Sequence, residues 1–90
     1  MKMKKYLPVL AFRLSSWLSD ETNREMWAEY VSSAKQNPDV NRLEVRLAWD
    51  ASRLVTTADE RSEWIHDCNA NDATFTTLAI AAAKVTGMIS

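Results

Sequence analysis

The sequence is poor in the residues that build disulfide frameworks, metal sites and tight turns. It contains one cysteine, one histidine, one glycine and two prolines among 90 residues. A single cysteine excludes an intramolecular disulfide framework and favours a cytoplasmic protein over a secreted one. One histidine and one cysteine do not make a zinc-binding cluster, so we expect no metal and no other cofactor. The scarcity of glycine and proline argues against a many-turned β-fold.

Long apolar runs and a strong charge of one sign are also missing. No stretch approaches the roughly 20 apolar residues of a membrane span, and the formal net charge is −1. The chain therefore has no overall field that would draw it to nucleic acid or to an anionic membrane. The basic N-terminus is followed by an apolar run from Leu7 to Phe12, but Arg13 interrupts it and no small-residue cleavage site follows. We expect neither a signal peptide nor a membrane span.

What the sequence does contain indicates one small helical domain. Hydrophobic residues make up 47% of the chain, which is too much for a disordered protein and enough for a modest core. Apolar residues recur at helical spacing in successive segments. We therefore predict a single all-α domain over residues 1–90. It is a compact bundle of four to five short helices over approximately 6–18, 20–36, 38–55, 58–67 and 73–86.

Residues with known capping preferences stand at the ends of these helices. Ser19 is the predicted N-cap of the second helix, and Asn37 followed by Pro38 marks the start of the third. The segment that begins at Thr57 matches the capping-box pattern T-x-x-E. Gly87 is the predicted C′ residue of the last helix, with a left-handed backbone. That helix is predicted to turn inward Phe75, Leu78, Ala79, Ala82 and Val85.

Two of the segments also fit an α+β alternative. Residues 6–14 are apolar nearly all round, which fits a central helix, a helix buried in a dimer or a buried strand. Residues 42–49 alternate between apolar and polar side chains, as strands do. Two such strands would pair in a β-α-β arrangement. We favour helices because the helical stripe over 38–55 is longer than the alternating pattern, and the segment is rich in Leu, Ala, Glu and Arg.

The third segment carries two different stripes. One is apolar and is predicted to face the core: Val40, Leu43, Leu47, Ala51 and Leu54. On roughly the opposite side, arginine and tryptophan recur at helical spacing, and these residue types are enriched at interface hot spots. We therefore predict a partner-binding face, the arginine–tryptophan face, made of Arg42, Val45, Arg46, Trp49 and Arg53.

Ordinary explanations exist for the same face. The arginines can stay solvated while Trp49 packs under a neighbouring helix with an arginine on its ring. They can also pair, within one chain, with the acidic ridge of the second helix, which consists of Glu21, Glu25 and Glu29. A third arrangement docks that ridge onto the arginines of a second copy, in an isologous dimer. Two apolar residues of the first helix also lie off its main stripe, so the residues predicted for self-association are Val9, Phe12, Glu21, Glu25 and Glu29.

The remaining tryptophans and the lone histidine are assigned structural roles. Trp17, Trp27 and Trp64 lie on or beside the apolar stripes of their helices, so we predict core positions in which each indole N–H needs an acceptor. His66 and Cys68 are two residues apart, and such residues point away from each other on a helix. We predict no catalytic pair there, and no other catalytic or phosphate-binding motif occurs.

Together these features predict a small non-enzymatic protein–protein interaction module: an adaptor, inhibitor or assembly factor of the kind found among phage or bacterial accessory proteins. Trp49 would anchor it in an acidic or apolar groove of a protein partner, and the arginines would supply steering and bidentate contacts. The alternative is a nucleic-acid-binding regulator that acts as a dimer, in which two arginine rows combine. The absence of net positive charge argues against that alternative.

Overall fold

The computed structural model describes residues 2–36 and 42–89 of the chain. Those residues form five α-helices and a short 3-10 turn, Lys2–Lys5, with no strand among them. The helices are α1 (Tyr6–Leu18), α2 (Glu21–Lys35), α3 (Leu43–Val55), α4 (Ala58–Asp67) and α5 (Asp72–Val85). The predicted all-α bundle is confirmed. The strand alternative for 6–14 and 42–49 is wrong, because α1 and α3 occupy these segments.

Side-chain hydrogen bonds cap the N-terminal ends of three of the helices. The Thr57 hydroxyl accepts a hydrogen bond from the backbone N–H of Glu60 at 3.1 Å, so Thr57 is the N-cap of α4. The cap predicted at Thr57 is therefore confirmed. The Asn71 side chain accepts a hydrogen bond from the backbone N–H of Thr74 at 2.9 Å and caps α5. The N-cap of α2 is Asp20, so the prediction of Ser19 is wrong by one residue; Ser19 keeps a helical backbone and ends α1.

Left-handed residues end α4 and α5. Gly87 has φ 78°, as predicted for the C′ residue of the last helix. The backbone N–H of Met88 then donates to the carbonyl of Ala83 at 2.9 Å, which completes a Schellman motif. Asn69, with φ 51°, has the same role after α4. The turn at Gly87 sends the chain back toward the core, where Met88 and Ile89 are buried.

Helix α5 lies at the centre of the fold, packed against both α1 and α3. Three of its alanines, Ala79, Ala82 and Ala83, are fully buried. Their small side chains let the neighbouring helices approach closely, which explains why an alanine-rich helix can stand at the centre. The largest fully enclosed apolar side chains are Phe75, Leu10 and Leu14.

The tryptophans outside α3 belong to the core or pack against it. Trp27 and Trp64 are buried, and Trp17 is half-buried against the cluster that contains them. The indole N–H of Trp27 donates to the backbone carbonyl of Met88 at 2.9 Å. That bond supplies the acceptor predicted for a core tryptophan and fastens the C-terminal segment to α2.

Two residues predicted to face inward do not. Leu54 is 44% exposed and Val85 is 72% exposed. Each lies in the last turn of its helix, where we infer that the neighbouring helices no longer cover the apolar stripe. The predicted core position of Val40 and the predicted helix start at Asn37 and Pro38 fall outside the described residues.

Candidate partner-binding face

Helix α3 has two different faces, as predicted. Leu47 and Ala51 are buried on the side where the helix packs against α1 and α5. Arg46 and Arg53 are exposed on the other side. Arg42 is exposed as well, but it occupies the N-cap position and lies just before the first helical residue. The row of three guanidiniums is therefore presented to solvent by a helix whose opposite side is fixed in the core.

None of the three arginines forms an ion pair within the described part of the chain. The ion pairs there are Lys5–Asp67, Arg13–Glu60 and Lys84–Glu44. The acidic ridge is also exposed along its whole length and takes part in none of these pairs. Within residues 2–36 and 42–89, the interpretation that the ridge and the arginines neutralise each other inside one chain is therefore wrong.

Trp49 is half-buried, and two residues hold its ring. Phe75, at the centre of the core, meets it nearly at right angles, with the ring centroids 5.8 Å apart. The guanidinium of Arg61 lies over the Trp49 ring at 5.6 Å. Arg61 itself donates to the carbonyl and hydroxyl oxygens of Thr56, at 3.0 and 2.9 Å. One sequence interpretation expects an arginine on this ring, and the structure places one there from α4.

A groove of about 500 Å³ runs along α3 beside Trp49. Helices α2, α3 and α5 all contribute to its walls. The charged and polar residues that line it are Arg42, Arg46, Asp72 and Thr76, and the apolar ones include Val45 and Trp49. Four of the five residues predicted for the arginine–tryptophan face therefore come together at one groove. The fifth, Arg53, lies one helical turn beyond Trp49 on α3 and is not among the lining residues.

A hydrogen-bonded cluster ties α2 to α3 next to the groove. The Tyr30 hydroxyl donates to the carboxylate of Asp50. Burial of the hydroxyl and its bond to Asp50 raise the pKa of Tyr30, while the nearby positive charge of Arg46 acts in the opposite direction. Arg46 is thus positioned beside a neutral phenol and a carboxylate that already has a hydrogen-bond donor.

The apolar residues predicted for self-association lie on a different surface. Val9 is 40% exposed and Phe12 is 74% exposed, both on the outer side of α1. Neither residue lines the groove on α3. The structure therefore separates the predicted self-association residues into two groups, the α1 pair and the acidic ridge of α2.

His66 and Cys68, near the end of α4, differ in exposure. His66 is exposed, while Cys68 is half-buried at the C-cap of α4. His66 lines a shallow pocket together with Ser62 and Asn69, and that pocket reaches Asp72 at the edge of the larger groove. Among the described residues, no three His, Cys, Asp or Glu side chains come together in a way that could hold a metal ion.

Three residues of the site are not identifiable from the sequence pattern. In the sequence, Arg61 is the one cation of an acidic segment, and the position of Asp72 indicates only a helix cap. The spacing of Tyr30 indicates only a place on the apolar face of α2. Their roles depend on how α2, α4 and the start of α5 are placed around α3, and no local pattern encodes that placement.

No protein-family model matches the chain, and no curated protein or solved structure is significantly similar to it. In the described part of the chain, no helix has both the length and the apolar character needed to cross a membrane.

Proposed function

We propose that this protein is a small non-enzymatic protein–protein interaction module, such as an adaptor, inhibitor or assembly factor. Its arginine–tryptophan face would bind an acidic, amphipathic segment of a protein partner. The observation that carries the proposal is a groove beside the half-buried Trp49, next to three exposed arginines that form no ion pair with any described residue. The buried residues Leu47 and Ala51 lie on the opposite side of this helix.

The chemistry of the groove supports an acidic, amphipathic partner. Trp49 and Val45 offer an apolar surface for one anchoring side chain, and Arg42 and Arg46 stand beside it. Guanidinium groups bind carboxylates in bidentate geometry, and such contacts also steer the approach of an acidic partner. Acidic residues spaced one helical turn apart around a single apolar residue would meet both requirements.

A protein partner is favoured over nucleic acid by the environment of Trp49. Base stacking needs an accessible face of the aromatic ring. One face of the Trp49 ring is covered by Arg61, which is itself fixed by two hydrogen bonds to Thr56. The net charge of −1 also provides no general attraction to phosphates.

The test is a titration of the isotope-labelled protein, followed by NMR, with a synthetic helical peptide. The peptide carries three glutamates at successive helical turns around one leucine, and the control peptide has lysines in their place. We expect shift changes at Val45, Arg46 and Trp49 with the acidic peptide only. Binding should weaken at least about tenfold in Arg46→Glu, because an attractive contact becomes a repulsive one.

Lys4→Glu is the matched control, because it makes the same change of charge at an exposed residue outside the groove. It should leave the affinity for the acidic peptide nearly unchanged. Shift changes that map to the outer side of α1, equal binding of the lysine peptide, or no response at millimolar acidic peptide would each overturn the proposal.

A further inference from the structure

The outward side of α2 has the chemistry that the groove on α3 requires. Its acidic ridge, Glu21, Glu25 and Glu29, is exposed. Met26 lies within the same segment and is 54% exposed. The opposite side of α2 is anchored in the core by Trp27 and Ala34. One helix of this chain thus presents three acids at successive turns beside one apolar side chain.

The dimensions of the two rows agree. With a rise of about 1.5 Å per residue, the ridge from Glu21 to Glu29 spans about 12 Å. The arginine row from Arg42 to Arg53 spans about 16 Å by the same rule. The ridge therefore fits along the row, and the flexible thioether of Met26 suits an apolar groove of irregular shape.

The other acidic helix of the chain is less available. In α4, the Glu60 carboxylate accepts a hydrogen bond from Arg13 at 2.7 Å. The Asp67 carboxylate pairs with Lys5 at 2.9 Å. Two of the acids of α4 are therefore engaged within the chain, whereas the ridge on α2 is not among the ion pairs of the described residues.

We infer that the arginine–tryptophan face receives the acidic ridge of a second copy of this chain. The contact is reciprocal, α2 on α3 and α3 on α2, in an isologous dimer. This inference rests on the proposed function, since it assigns an occupant to the same groove. Charge complementarity carries it: two exposed rows of opposite sign stand on one chain, and neither is neutralised by the other.

The experiment is sedimentation velocity at low ionic strength on the wild-type chain and two charge-reversal variants, Arg46→Glu and Glu25→Arg. Both residues are exposed, and circular dichroism verifies that the variants remain helical. We expect the wild type to dimerise at high micromolar concentration and each variant alone to dimerise at least about tenfold more weakly.

An equimolar mixture of the two variants should recover the dimer, because the reversed charges then face each other and the unaltered contact persists. A Phe12→Ser variant tests the exposed apolar side of α1 and should dimerise like the wild type. A wild type that stays monomeric at every concentration overturns the inference. So does a mixture that fails to recover the dimer, or loss of the dimer in Phe12→Ser.

These outcomes are separable from those of the proposed function. If the chain is monomeric but still binds the acidic peptide at Val45 and Trp49, the dimer is refuted. The proposed function then stands, with a different protein as the partner of the groove. A dimeric chain should bind the acidic peptide in competition with its second copy, so added peptide should shift the sedimentation boundary toward the monomer.

Discussion

Arginines lie close to a tryptophan in two regions of this molecule. The two regions differ in whether the guanidinium groups have a carboxylate partner. At the junction of α1 and α4, the Arg13 guanidinium donates to the Glu60 carboxylate at 2.7 Å and to the Val55 carbonyl at 3.3 Å. It also lies 5.6 Å from the centre of the Trp64 ring. On the outer side of α3, the arginines around Trp49 have no carboxylate partner in the described part of the chain.

The two regions differ in this way because folding removes water from the guanidinium of Arg13 to a greater extent than from those of Arg46 and Arg53. Arg13 stands on a helix that is apolar nearly all round, so packing α1 against its neighbours removes water from part of the guanidinium. That loss is tolerable only where hydrogen bonds and an opposite charge replace the water. Arg46 and Arg53 remain exposed and form no ion pair within the described part of the chain. We infer that the first arrangement stabilises the fold and that the second is available for binding.

The largest difference in stability is expected between the alanine variants of Trp64 and Trp49. Trp64→Ala removes a buried ring that stacks on Tyr6 at 4.8 Å and contacts Phe75. We expect it to lower the free energy of unfolding by roughly 3–5 kcal/mol. Trp49→Ala removes a half-buried ring and should cost only about 2 kcal/mol, because less apolar surface leaves the core.

Urea denaturation of both variants measures this difference, and the peptide titration supplies the second readout. Binding should be lost in Trp49→Ala at temperatures where the variant is folded. Equal destabilisation by the two substitutions, together with unchanged peptide binding in Trp49→Ala, would make Trp49 an ordinary core residue.

The arginines should show a smaller contrast of the same kind. Arg13→Met keeps the aliphatic part of the side chain but removes the bonds to Glu60 and Val55. The ion pair is partly exposed, so solvent screening keeps the expected loss of stability at about 1–2 kcal/mol. Arg53→Met should change the free energy of unfolding by no more than about 0.5 kcal/mol, because its side chain is exposed. Thermal unfolding of the two variants measures these losses of stability. A greater loss in Arg53→Met than in Arg13→Met would contradict the expected difference between the two regions.

The smallest expected effect is a pH dependence at the α1–α4 junction. The hydrogen bond from Arg13, supported by its positive charge, lowers the pKa of Glu60 below the usual value of 4.5, while burial acts in the opposite direction. A carboxyl whose pKa is lower in the folded chain contributes stability above its unfolded pKa and loses it as the pH falls through the folded pKa. The stability gap between wild type and Arg13→Met should therefore narrow between neutral pH and about pH 3. Urea titrations at a series of pH values test this, and a gap that widens on acidification would refute the assignment.

The helix spans could be predicted because their signals are local. The predicted spans of α1 and α4 agree with the structure at both ends, and those of α2 and α5 differ by one residue at each end. Periodicity and capping residues act within a few positions of the chain, so they need no knowledge of the packing. Leu54 and Val85 were mispredicted because the apolar period continues to the end of a helix, whereas the neighbouring helix does not cover it.

The candidate site was predictable only in part, for the same reason. The stripe of Arg42, Arg46, Trp49 and Arg53 follows from helical spacing alone. The residues that hold or complete it, such as Arg61 and Asp72, come from other helices. Their approach to Trp49 depends on the arrangement of the bundle.

The sequence by itself determined an all-α chain, the ends of most of its helices and the presence of two faces on α3. These properties follow from residue spacing and from hydrogen bonds between near neighbours. Only the tertiary structure decided that α5 is the central helix, that Met88 lies under Trp27 and that the ridge on α2 and the arginines on α3 remain apart. Such features join residues distant in sequence, and the packing of complete helices, rather than any local pattern, sets which of them meet.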